Sequence, residues 1–202
     1  MSGTEHFDQA AATWDLTDRR VLLAHAVAEA IAARVTLSKA LNVLDFGCGT
    51  GLVTLQLASK VGSIAGADTS LGMLKILSEK AENQRLFVKL VPLDPSGTGG
   101  LDGPYDLIVS SMTLHHIADV PALFQRFLQH LNSGGQVALA DLDEEDGTFH
   151  EGVTDVHHKC FPRERIQGWL EDAGFRQVQL ETATVTSKGG KDFPVFLATG
   201  MK

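Results

Sequence analysis

The run Asn42-Val43-Leu44-Asp45-Phe46, followed at once by Gly47-Cys48-Gly49-Thr50-Gly51, is the feature that most constrains this chain. Its apolar stretch reads as a buried strand, and the glycine cluster after it as a tight turn into the helical pattern that begins near Leu52. Glycines at such a turn allow the backbone to bend sharply and to approach a ligand closely. A strand delivered into a glycine turn and then a helix belongs to open sheets of parallel strands. Ligands of those sheets bind beyond the carboxyl ends of the strands.

The rest of the chain repeats the alternation. A helix is expected over 17–34, with Leu23, Val27 and Ile31 four residues apart, lying over the carboxyl edge as a cap. After the glycine turn come a helix near 52–60, a strand over 63–67 ending at Asp68, a helix over 71–82, and strands over 86–91 and 105–110. The Gly-, Pro- and Ser-rich stretch 94–104 reads as a loop. Asp119 and Pro121 suit the cap and first turn of a helix whose apolar face is Leu123, Phe124, Phe127, Leu128 and Leu131. Gly134-Gly135 ends it before a strand over 136–141, and Gly174 stops a helix marked by Ile166, Trp169, Leu170 and Ala173. Two closing strands, 175–182 and 193–199, have only a loop between them and are expected to pair antiparallel. The fold class is therefore α/β: a mostly parallel sheet between two helical layers. At 202 residues the chain suits one domain, with residues 1–38 as a cap or lid segment.

A net charge of −8 argues against a nucleic-acid backbone as the main partner, since phosphates need a basic surface. Cys48 and Cys160 stand far apart and form no CxxC pair, which fits a reducing, cytoplasmic setting. Neither an apolar signal segment nor an uncharged run long enough to span a bilayer is seen, so no membrane span is expected.

The spacing of the loop speaks to the ligand. A dinucleotide fingerprint would place its third glycine at position 52, which is Leu, and here the third glycine comes one residue early. A carboxylate, Asp45, stands two positions before the first glycine. That combination suits a cofactor that carries an amino acid and no pyrophosphate, with Asp45 accepting from its ammonium. Asp68 ends the second strand 17 residues after Gly51, near the distance at which an acidic residue grips a ribose diol. Asp94, beside Leu93, is placed to accept from an adenine amino group, and Met73 could pack on the base or fill the core.

The nine residues Val43 to Gly51 resemble the first motif of class I S-adenosylmethionine (SAM)-dependent methyltransferases. Asp68, Leu93-Asp94 and the run Tyr105 to Ser110 fall where that family's later motifs fall. Phe7-Asp8, Ala11 and Trp14-Asp15 resemble the entrance segment of the subgroup that includes quinone-biosynthesis enzymes. The resemblance covers about residues 40–200. It implies a three-layer Rossmann-like fold with a seven-stranded sheet whose last strand is antiparallel. It also implies SAM as cofactor, a small-molecule acceptor, and cofactor contacts from Asp45, Gly47, Cys48, Gly49, Asp68, Thr69, Met73, Leu93, Asp94 and Ser110. Asp106 reads as structural, and Cys48 as a small residue in a crowded turn. His6, Phe7 and Trp14 are candidates for a lid.

Methyl transfer from a sulfonium needs a base only where the acceptor must lose a proton. His115 and His116, beyond the fourth strand, are the candidates for that base. The segment Asp141-Leu142-Asp143-Glu144-Glu145-Asp146 with His150, His157, His158 and Cys160 reads first as a solvated acidic loop. A cationic acceptor or a metal is the alternative there, though no spacing matches a closed zinc site. A non-catalytic SAM-binding regulator and a nicotinamide-dependent oxidoreductase are the competing functions, and Leu52 speaks against the second.

Overall fold

A computed structural model describes residues 3–94, 101–145, 148–150 and 156–202. Most of the 94–104 loop, and Asp146 of the acidic run, lie outside the described residues. The chain begins with α1 (Gly3–Ala10), a 3-10 turn (Ala11–Leu16) and α2 (Asp18–Arg34). Then follow β1 (Asn42–Phe46), α3 (Thr54–Ala58), β2 (Ser63–Asp68), α4 (Leu71–Asn83), β3 (Lys89–Pro92) and β4 (Tyr105–Ser111). A 3-10 turn at Leu114–His116 leads to α5 (Val120–His130), β5 (Leu131–Leu142), α6 (Arg163–Ala173), β6 (Arg176–Lys188) and β7 (Lys191–Met201).

The strands form one seven-stranded sheet in the order β3-β2-β1-β4-β5-β7-β6. β1 to β5 run parallel, and β7 pairs antiparallel with both β5 and β6. This is the three-layer, mostly parallel arrangement expected, and the two-residue turn Gly189-Gly190 makes the closing pair a hairpin. Strand parity sorts the core onto two faces. Val43, Leu107 and Val109 join α2 and α3, whereas Leu44, Phe46 and Ile108 join Phe124 and Phe127 of α5 and Ile166 and Leu170 of α6. Because β1 and β4 are neighbours whose successors wind in opposite directions, the crevice of the sheet opens between their carboxyl ends.

Four expectations need correction. Helix α2 reaches the edge only with its first turns, where Arg19, Arg20, Leu23 and Ala24 line the crevice beside α1 and the 3-10 turn, while Val27 and Ile31 are buried in the sheet-face core. The helix after the glycine turn is one and a half turns long, not a full 52–60. Strand β3 starts at Lys89, not Leu86, because Leu86 belongs to the end of α4. Arg85 there adopts φ +56°, its N–H donates to Glu82 O, and the Leu86 N–H donates to Ala81 O. That is a Schellman cap, which uses an apolar residue after the helix as a staple and so mimics the start of a strand. Lastly, α5 ends at His130 and Leu131 already pairs with Tyr105. The glycines sit within a bulge of β5, not at the helix end.

Asp106 holds that bulge. Its carboxylate accepts from the Asn132 side-chain amide at 2.7 Å and from the Asn42 backbone N–H at 2.8 Å, joining β5 to the start of β1. Asp106→Ala is therefore expected to lower the unfolding free energy by about 2 kcal/mol in denaturant melts while leaving cofactor affinity unchanged.

Candidate active site

The glycine loop is built by contacts that only glycine permits. Gly47 has φ +71°, and a Cβ there would fall 2.3 Å from the Thr113 side chain; Gly51 has φ +82°, and a Cβ would meet Leu77 at 2.2 Å. The loop is pinned from below by Asp68, whose Oδ2 accepts from the Gly49 N–H at 2.8 Å and whose Oδ1 accepts from the Ser70 N–H at 2.9 Å. Ser70 in turn caps α4 by accepting from the Met73 N–H. Burial raises the Asp68 carboxyl above its ordinary range, against the backbone N–H groups that lower it.

A cavity of about 950 Å³ opens over this loop, beyond the carboxyl ends of β1, β2 and β4. Asp45, Gly47, Cys48, Gly49, Asp68, Thr69, Met73 and Leu93 all line it. Two expected cofactor residues do not. Ser110 faces inward, 1% exposed, and its hydroxyl donates to Phe46 O, tying β4 to β1, so that Ser111 lines the cavity instead. Asp94 is exposed and absent from the lining, although Leu93 beside it is present. Cys48 is buried, and desolvation pushes its thiol well above the ordinary value, so it packs in the turn as an inert thiol.

Asp45 is the group least accounted for by the fold itself. It is 1% exposed, and Oδ2 accepts from the Thr54 hydroxyl at 2.6 Å. Oδ1 is buried with no hydrogen-bond partner among the described residues. Burial, and secondarily the charge of Asp68, raises the Asp45 carboxyl to about 7 despite the Thr54 bond. An unpartnered carboxylate oxygen at a cavity wall suits the ammonium of an amino-acid-bearing cofactor.

The far end of the cavity holds the histidines. His115, 4% exposed, has Nδ1 2.8 Å from Oδ1 of Asp141, which is wholly buried at the end of β5. Asp141 also accepts from the His115 and Leu142 backbone N–H groups. Burial acts to raise its pKa, but the His115 charge and these hydrogen bonds outweigh burial and hold it below its ordinary value. An ionised Asp141 can only accept, so in the neutral ring the proton is held on Nδ1 and the lone pair is left on Nε2. His116 and His150 stack on His115, at 4.1 and 4.5 Å between ring centroids.

The acidic run is thus not one solvated loop. Asp141 is core and partnered by His115, and Asp143 pairs with Arg163. Among the described residues no group of three or more His, Cys, Asp or Glu could hold a metal ion. The Asp141–His115 pair is what sequence reasoning missed. Its signal was a histidine after β4 and an aspartate ending β5, which become neighbours because those strands pair with Ser111 beside Ala140.

The N-terminal segment closes the chamber. His6, Phe7 and Trp14 line it, with Phe7 edge-on to Trp14 at 5.6 Å and to His116 at 5.2 Å. Two carboxylates fasten it. Asp8 accepts from the Ser70 hydroxyl and the Gly72 N–H at the start of α4, and Asp15 accepts from the Thr50 hydroxyl and Lys80.

The model of the methyltransferase domain matches residues 16–180. The chain belongs to the class I SAM-dependent methyltransferases. This methyltransferase is similar to the biotin biosynthesis bifunctional protein of Bordetella avium, 37% identical over 124 residues covering 60% of the chain and 26% of that protein. The chain spans from about a quarter to just over half of the lengths of these curated relatives, 26% and 55% at the two ends. Solved structures share its fold. One is a Haemonchus contortus phosphoethanolamine N-methyltransferase in complex with SAM, with TM-score 0.71 and 20% identity, covering 87% of this chain and 52% of that one. Another is the magnesium protoporphyrin IX methyltransferase of Synechocystis with bound S-adenosylhomocysteine (SAH), with TM-score 0.69 and 20% identity, covering 90% and 83%. Among the described residues no helix is long and apolar enough to cross a membrane.

Proposed function

We propose that this methyltransferase binds SAM at the glycine-loop end of the cavity and methylates a small-molecule acceptor at the histidine end. The observation that carries the reading is a single chamber joining Asp45 and Asp68 to His115, roofed by the segment that bears Phe7 and Trp14. A chamber of about 950 Å³ is of the size that holds a cofactor and a small partner together. Bound there, SAM supplies an activated methyl group. The chain supplies placement: Asp45 Oδ1 toward the ammonium, the free lone pairs of Asp68 toward the ribose hydroxyls, and Met73 and Leu93 against the base. The lid excludes water, and holding two reactants in register provides much of the acceleration in such a transfer. His115, oriented by Asp141, takes the proton of an acceptor hydroxyl or amine at Nε2.

Calorimetric titration with SAM and SAH tests the cofactor half. Wild type is expected to bind both in the micromolar range. Asp68→Ala, which removes both the ribose acceptor and the brace under Gly49, is expected to weaken binding at least about tenfold, or roughly 1.4 kcal/mol. Absence of binding by either ligand would overturn the proposal.

A further inference from the structure

The chain carries a formal charge of −8, yet the acceptor end of its cavity is lined by cationic and imidazole side chains. The carboxylates Asp45 and Asp68 belong to the glycine-loop end, and Glu5 on α1 is the remaining carboxylate of the lining among the described residues. Against the ring of Phe149 stand two cations from distant parts of the chain. The Arg19 guanidinium lies 5.0 Å from the ring centroid and the Lys188 ammonium 5.3 Å from it. Lys188 also donates to the Phe149 carbonyl. Neither forms an ion pair with a carboxylate among the described residues, and Arg19 makes no hydrogen bond among them. Arg20 differs: it lies 3.6 Å over Trp14 and donates to Trp14 O and the Thr17 hydroxyl, so it is committed to the lid.

A second observation points to a ligand at the same place. His150, 9% exposed and lining the cavity, stands between Phe149, at 5.1 Å, and His115, at 4.5 Å. Its Nε2 is buried with no partner among the described residues. Burial lowers its pKa to about 4, and Lys188, with His115 and His116 in their protonated forms, adds to that shift against Asp141. The ring is neutral at pH 7, near the Lys188 ammonium, with a nitrogen unpartnered among the described residues. A buried polar atom beside two cations that pair with no carboxylate among the described residues is the arrangement of a site whose missing member is an oxyanion.

We propose that Arg19 and Lys188, with His150 between them and His115, form an anion-binding subsite for the acceptor. The acceptor then carries a carboxylate or phosphate beside the atom that is methylated. Arg19 supplies a planar fork suited to either oxyanion, and Lys188 a point charge. This inference rests on the proposed acceptor end of the cavity and reverses the sign of the acceptor suggested by the acidic run 141–146, whose Asp141 and Asp143 are already paired.

The test titrates inorganic phosphate, succinate and ethanolamine into the protein, both free and saturated with SAH, for wild type, Arg19→Gln, Lys188→Gln and the double variant. Wild type is expected to bind phosphate or succinate in the millimolar range, more weakly as salt rises, and to give no heat with ethanolamine. Whichever anion binds tighter names the group. Each single variant is expected to lose at least about fivefold in anion affinity and the double variant all measurable binding, with thermal midpoints showing that the variants are folded. Undiminished anion binding in the double variant, no anion binding by wild type to about 20 mM, or preference for ethanolamine would each overturn the subsite. The anion titrations do not require SAH, so failure of SAH to bind would remove the cofactor reading alone.

Discussion

SAH affinity is expected to rise about tenfold between pH 6 and pH 7.5 and then level off. The cause is Asp45, whose burial brings its carboxyl to about 7 in the free protein. Pairing with an ammonium requires the ionised form, so binding below pH 7 must expel a proton and loses about a factor of ten per unit. Affinity therefore grows with pH up to the carboxyl's own value and is flat above it. At pH 7 calorimetry in buffers of different ionisation enthalpy should register release of about half a proton. Asp45→Asn is expected to bind more weakly at every pH and to abolish the slope. Methylthioadenosine, which lacks the amino acid, should show no slope with the wild type. A slope that persists in Asp45→Asn would assign the proton to another group and remove the ammonium from Asp45.

The same carboxyl shapes stability in the free protein. Folding raises its pKa from 3.8 to about 7, so the folded state binds the extra proton between those values and stability falls as pH rises through that window. His150 acts in the opposite sense. Its pKa drops from 6.5 to about 4 on folding, so the unfolded state binds the extra proton and stability rises with pH across that range. The two contributions oppose each other between about pH 4 and 6.5.

Replacing His115 with alanine is expected to cut turnover by about 10²- to 10⁴-fold, the usual worth of a positioned general base. The readout is transfer of labelled methyl from SAM into a small-molecule extract, with SAH affinity within twofold of wild type. Asp141→Asn tests the positioning role separately. An amide in that buried place can donate to Nδ1, which moves the ring proton to Nε2 and removes the lone pair from the cavity side. Its expected signature is a turnover loss approaching that of His115→Ala, with the Michaelis constant for SAM little changed. A merely structural pair would instead depress thermal stability and SAH affinity together. Turnover of a folded His115→Ala within about threefold of wild type would show that the acceptor's proton leaves by another route.

The features legible in the sequence are those whose meaning is local. The glycine turn, Asp45 just before it and Asp68 at the end of β2 are fixed by positions along a single βαβ unit, and all three reach the cavity. Ser110 and Ser111 cannot be told apart in the sequence, because strand parity decides which of two adjacent serines faces the cavity, and parity depends on pairing with β1. Leu86 and Leu131 were misassigned because an apolar residue just past a helix serves as staple or strand alike. The His115–Asp141 pair and the two cations on Phe149 bring together residues far apart in the chain, and only the order of the sheet makes them neighbours.

The closing hairpin has a consequence for assembly. Strand β6 meets the sheet only through β7, which lies between it and β5. During synthesis, then, β6 emerges with no free edge to join, and the edge of β5 stays open until β7 has followed. For that interval β5, with Asp141 at its end, is a bare strand able to accept a wrong neighbour. Fast closure of the Gly189-Gly190 turn shortens that exposure, because a preformed ribbon can dock as one piece. A ribosome pausing before Lys191 would lengthen it.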